Sequence, residues 1–174
     1  MTDTPTSSTA QAPTEAMQHL TALIGRWHGR GSGHFPTIDD FAYDEELVFE
    51  ANDHEPLLHY VQKTWRLEGG VRVEPLHWES GFVIPQENGT IEISNAQNGG
   101  RVEVLAGPLK PTPNGFELDL ASVVLTHDPR LHASHRLLRV AGNQLSYDVS
   151  METTRVSPIH HHLRAELKRQ PSDS

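Results

Sequence analysis

The chain of 174 residues contains no cysteine. That absence excludes disulfides, thiolate zinc sites, iron–sulfur clusters and cysteine nucleophiles. No segment approaches the roughly 18 consecutive apolar residues that span a bilayer. The first fifteen residues have neither a basic start nor an apolar core, so they do not read as an export signal. A cytoplasmic location is the resulting expectation. Basic residues are in the minority, 14 Lys and Arg against 23 Asp and Glu, for a formal net charge of −9. Such a balance argues against nucleic acid or an anionic membrane as the main partner. It does not by itself indicate a positively charged partner, and it leaves the oligomeric state open. No Ser-His-Asp constellation or paired carboxylates suggest a hydrolase, and no internal repeat suggests a solenoid or propeller.

At this length the chain fits one domain, able to bury about two-thirds of its extended surface. Residues 1–14 are rich in Thr, Ser and Pro and are expected to form a disordered tail. Residues 15–170 are expected to form the domain itself. Met17, Leu20, Leu23 and Ile24 recur at helical spacing over Glu15–Ile24, and Gly25 follows as a stop signal. Beyond it, strand patterns dominate. In Phe41–Ala51 one face reads Phe41, Tyr43, Glu45, Leu47, Phe49 and the other Ala42, Asp44, Glu46, Val48, Glu50. Gly69-Gly70 and similar turn sequences separate further runs of this kind. With Gly25–Gly33 as the first and Ile159–Arg169 as the last, about ten strands follow one another by short connections. A meander of that size must close to hide its edges, and a closed barrel of this strand number encloses ligand-sized space. The expected fold is therefore all-β, a ten-stranded antiparallel up-and-down barrel with a short N-terminal helix.

Twelve histidines are present, mostly scattered singly, but His160, His161 and His162 stand in a row near the C-terminus. Glycines recur at 25, 29, 31 and 33 without the Lys-Ser/Thr of a phosphate loop. Within a strand they mark a bend or a close approach of backbone or ligand, and Trp27 among them is expected to close one barrel end. His77 and Glu79, two apart, lie on one face of a strand.

The pattern Gly25-x-Trp27-x-Gly29-x-Gly31-x-Gly33-x-Phe35-Pro36-Thr37-Ile38 follows a Leu20-x-x-Leu23-Ile24 helix and precedes Phe41-x-Tyr43-x-Glu45-Glu46. With Gln62-Lys63-Thr64-Trp65, Leu76-His77-Trp78-Glu79-Ser80-Gly81-Phe82 and Ser157-Pro158-Ile159-His160-His161-His162-Leu163, it resembles the nitrobindin family of haem-binding β-barrels. The resemblance runs over residues 18 to 169. It implies haem b as the cofactor, nitric oxide binding, and isomerisation of peroxynitrite to nitrate at a ferric iron held by one axial histidine. In the family a Pro-Leu-x-x-His-Leu segment supplies that ligand, and the match assigns it to His162, which thus becomes the metal ligand and catalytic centre. Thr37 matches a family position near the haem, and the match of His77 and Glu79 implies a buried polar pair. The family lysine before the eighth strand has no counterpart here, and Arg130 is the candidate to replace it, since a guanidinium pairs well with carboxylates.

Alternation alone points elsewhere. In an uninterrupted strand, Ile159, His161, Leu163, Ala165 and Leu167 share the apolar face, and His162 lies on the other. A local irregularity after Pro158 would reconcile the two. Two other readings remain at this point: a non-enzymatic carrier of an apolar ligand, such as a fatty acid, and a divalent-metal protein using His160 and His162.

Overall fold

In the computed structural model, which describes residues 11–171, ten strands close on themselves. They are β1 Gly25–Phe35, β2 Ile38–Ala51, β3 Leu58–Glu68, β4 Val71–Pro85, β5 Thr90–Gln97, β6 Val102–Thr112, β7 Gly115–Thr126, β8 Leu131–Ala141, β9 Gln144–Thr153 and β10 Val156–Arg169. Each is antiparallel to the next, and β1 pairs with β10 from Trp27↔Arg169 to Gly33↔Leu163, so no sheet edge is left open. At Gly69-Gly70 the β3–β4 connection takes φ values of +57° and +82°, the left-handed pair that a two-residue hairpin requires.

One helix precedes the barrel. It runs from Gln11 to Leu20 as α1, and Thr21–Leu23 then form a tighter 3₁₀ turn. The expected helix, Glu15–Ile24, thus starts four residues later than the observed one and runs past its end at Leu20, where the chain contracts to a 3₁₀ turn. Of the expected tail, residues 1–10 lie outside the described residues. Among the described residues no helix is long and apolar enough to cross a membrane.

Leu20 and Leu23 are fully buried against Trp27, whose Nε1–H donates to the Leu23 carbonyl at 2.7 Å. The Arg169 guanidinium stacks 4.2 Å from the Trp27 ring and donates to the Ala22 and Ile24 carbonyls. Helix and tryptophan therefore stopper one end. The turns that follow β1, β3, β5, β7 and β9 form the other end, the mouth.

Inward rows follow the expected alternation. On β2 they are Phe41, Tyr43, Glu45, Leu47 and Phe49; Glu45 is wholly buried and Phe41 half-buried. Glycines on β1 make room for two of these rings. A Cβ on Gly31 would lie 2.2 Å from Tyr43, and one on Gly33 would lie 2.1 Å from Phe41. The close approach read from the glycine spacing is thus an approach of side-chain rings.

Candidate functional site

A cavity of about 290 Å³ occupies the barrel between the mouth and the apolar packing over the helix. Phe41, Leu76, Val149, Met151 and Leu163 give it apolar wall, and His162 also lines it. What turns His162 inward is an extra residue in β10. His161 pairs with Ser150 and Leu163 pairs with Val149, so His162 has no partner on β9 and forms a bulge. Side-chain parity reverses there. Leu163, Ala165 and Leu167 keep the inward row, yet His161 points outward, with Nε2 3.1 Å from Asp148 Oδ1. A second irregularity lies between Val156 and His160, around Pro158, which has no N–H to give the ladder.

The His162 ring is held on several sides. Nδ1 lies 3.3 Å from the His34 carbonyl, which can only accept, so Nδ1 carries the proton and Nε2 keeps its lone pair. Phe35 meets the ring edge-on at a centroid separation of 5.2 Å, and Phe41 lies at 6.3 Å. Burial lowers the imidazole pKa below its ordinary value, the nearby His161, Arg101 and His77 add to this, and the His34 hydrogen bond opposes it. The ring is therefore a neutral donor. That donor set, one oriented imidazole with a free nitrogen on the cavity wall, fits a haem iron.

Opposite His162 the wall is polar. Counted either way round the barrel, β5 is the fifth strand from β10, so the β4–β6 sector faces His162. That sector brings His77, Gln97, Arg101 and Glu103 to the cavity. The expected His77–Glu79 pair is present, with Nε2 3.0 Å from Oε2. Glu79 also receives Arg136 from β8, Nη1 to Oε1 at 2.8 Å, and the Tyr60 hydroxyl at 2.8 Å.

Deeper still, Glu45 accepts from Tyr147 at 2.5 Å and from Gln62 at 2.6 Å, and the Tyr43 and Tyr147 hydroxyls are 2.9 Å apart. Burial pushes the Glu45 carboxyl up to about 7; the Tyr147 and Gln62 hydrogen bonds oppose the rise, Glu79 adds to it, and Arg136 opposes it. A carboxyl whose folded pKa is raised above its unfolded value stabilises fully below the unfolded value. That stability is lost as pH rises through the folded one. From 4.5 to about 7 the difference corresponds to about 3 kcal/mol. Glu45→Gln is expected to remove this loss, since Tyr147 still has an amide oxygen to donate to and Gln62 can flip its own amide. Thermal melts from about pH 5 to about pH 8 check it: the wild-type midpoint falls across the range more steeply than the variant's.

Thr37 and Arg130 are not brought to the cavity wall. Thr37 is exposed in the β1–β2 turn. Arg130, at 80% exposure, turns back on its own loop, with Nε 2.9 Å from Asp128 Oδ1. Two guanidiniums line the cavity, Arg136 on Glu79 and Arg101 in the β5–β6 turn, whose Nη2 donates to Asp128 Oδ2 at 3.0 Å. His34, exposed near the end of β1 beside Asp40, contributes its backbone carbonyl.

Comparison with known proteins agrees with this geometry. Residues 16–169 match the model of the THAP4-like, heme-binding beta-barrel domain. A protein of Arabidopsis thaliana named peroxynitrite isomerase Rv2717c is 39% identical over 153 residues, covering 85% of each chain. Peroxynitrite isomerase 2 of Mycobacterium marinum is 34% identical over 154 residues, 87% of this chain and 92% of the relative. The crystal structure of Rv2717c from M. tuberculosis superposes with a TM-score of 0.79 at 34% identity, over 90% of this chain and 98% of that one. With family model, relatives and barrel in agreement, the chain belongs to the THAP4-like haem-binding β-barrel family, the nitrobindins.

Proposed function

We propose that the protein binds haem b through His162 as its one axial ligand and, in the ferric state, isomerises peroxynitrite to nitrate. Nitric oxide is the second small ligand of the same iron. One observation carries the reading: the β10 bulge turns His162 into the cavity with Nδ1 tied to the His34 carbonyl and Nε2 left as a neutral donor. The relatives' printed name, peroxynitrite isomerase, supports the reaction class.

When bound, the haem iron supplies the Lewis-acid and redox centre of the reaction. The chain's own residues do the rest. His34 fixes the tautomer and orientation of His162, and Phe35 and Phe41 keep its ring from turning. Phe41, Leu76, Val149, Met151 and Leu163 shield the cavity from bulk water. Thr37 and Arg130, on two mouth turns, serve in this reading as outer contacts to cofactor parts that project from the mouth.

Titration of the purified protein with haemin is expected to give a Soret band saturating at one equivalent. Stopped-flow mixing of the ferric form with peroxynitrite is then expected to speed its decay beyond that of free haemin, with nitrate as the product. Stoichiometric fatty-acid binding without a Soret band would instead establish a carrier. A Soret band with reactivity no greater than free haemin's would leave a haem protein that is no isomerase.

A further inference from the structure

Peroxynitrite is an anion, and the chain carries a formal charge of −9. The cavity wall carries buried carboxylates as well, Glu79 and Glu103 among them. A small anion therefore needs a local cation to enter, because charges of one sign lining a cleft raise or lower the local concentration of small ions. Arg136 does not serve, as both Glu79 oxygens engage it at 2.8 and 3.3 Å.

Arg101 is arranged differently. Only Nη2 has an acceptor, Asp128 at 3.0 Å; Nε is buried with no hydrogen-bond partner, and Nη1 has none among the described residues. Asp128 in turn is shared with Arg130, whose Nε and Nη2 lie 2.9 and 3.2 Å from its oxygens. Two guanidiniums on one carboxylate leave the cluster with a net charge of +1. Glu103, the next inward residue on β6, is the counterweight within the cavity, and its oxygens are engaged by Ser134 and Gln97. The guanidinium therefore stands at the mouth, in the sector facing His162, with donors to spare.

We propose that Arg101, held in place by Asp128, is the anion-binding residue of the cavity and pairs with a small monovalent anion in the sector opposite His162. The charge-assisted hydrogen bonds it offers are the kind that separate an anion from a neutral ligand of similar size. This inference rests on the haem reading above.

Azide and nitric oxide are suitable probes, one anionic and one neutral. In haemin-loaded ferric protein, Arg101→Met is expected to weaken azide binding, read from the Soret shift, by about tenfold or more. The rate of nitric oxide association with the ferrous form should stay within about twofold. Arg101→Lys, which keeps the charge, should recover part of the azide affinity. Added salt should weaken azide binding to the wild type more than to Arg101→Met. Unchanged azide affinity behind a normal Soret band overturns the proposal. So does an equal loss for azide and nitric oxide, which would mark Arg101 as a packing residue. No Soret band in the wild type removes the haem reading and this inference together, whereas a normal band with unchanged azide binding removes only the inference.

Discussion

His162→Ala is expected to abolish stoichiometric haemin binding, while His161→Ala leaves the Soret band as in the wild type. The pair is discriminating because the two imidazoles are neighbours in sequence and on opposite sides of the barrel wall. His162 lines the cavity, and His161 is tied to Asp148 outside it. For His161 to replace its neighbour, the bulge would have to move by one residue, so that His162 paired with Ser150 and turned outward. Loss of an outer partner of a metal ligand costs about 10–100-fold in affinity. Loss of the one protein ligand should exceed that, so an affinity loss above about 100-fold is expected for His162→Ala. Protonation offers an independent check. An imidazolium cannot ligate iron, and the His162 pKa is lowered by burial from its ordinary 6.5. Haemin affinity of the wild type should therefore stay level as pH falls from about 8 to the ordinary histidine value. A Soret band that survives His162→Ala but not His161→Ala would reverse the assignment.

The bulge is also where sequence reading reached its limit. Alternation is a count, and it holds only while each residue of one strand faces one of the next. From Phe41 to Phe49 the count is unbroken, which is why Phe41, Tyr43, Glu45, Leu47 and Phe49 could be placed on one face from the sequence. In β10 it breaks twice, and the only sign in the sequence is Pro158, which announces irregularity without saying where parity flips. The motif match supplied His162; the register explains why that residue, and not the one alternation selects, faces inward. The helix end was misplaced for a related reason. Hydrophobic spacing does not separate a last α-turn from the 3₁₀ turn that packing of Leu20 and Leu23 against Trp27 imposes.

The polar half of the cavity was only partly legible. Glu45 could be seen as an acidic residue in an apolar row, but its partners Gln62 and Tyr147 lie on β3 and β9. Such contacts appear only once the barrel closes. Arg130 was nominated from its place before β8, and its neighbour Asp128 is the residue that keeps it out. Arg101 was overlooked, although strand parity contained a clue: every connection after an odd-numbered strand lies at the mouth, and Arg101 ends the β5–β6 connection.

Arg136→Met is expected to lower stability by about 3–5 kcal/mol, the usual cost of stranding one partner of a buried ion pair. Glu79 has no solvent to fall back on, since its side chain is 0% exposed. Burial alone would raise its pKa. The Arg136 charge, with His77, more than offsets that and holds the carboxyl well below the ordinary range. A carboxyl with a depressed folded pKa stabilises above its unfolded value and loses that contribution only as pH falls through the folded one. In the wild type the pair therefore persists far into acid. In Arg136→Met the sign inverts: Glu79 is buried without its cation, its pKa rises above 4.5, and the penalty is largest above that value and shrinks on acidification. At neutral pH the melting midpoint should drop by about 10 °C, given 2–4 °C per kcal/mol for a chain of this size. Combining Arg136→Met with Glu79→Gln should restore much of the loss, because Tyr60 can still donate to the amide oxygen and His77 Nε2, in its acceptor tautomer, can take a hydrogen bond from the amide nitrogen. If the double variant is no more stable than Arg136→Met, the loss comes from packing around the arginine stem and not from the stranded charge. The outcome bears on the cavity as well. An apolar barrel centre would be cheaper to fold, so a pair whose carboxylate is held by Tyr60 and His77 as well as by Arg136 is a way to keep polar groups in place beneath a ligand site.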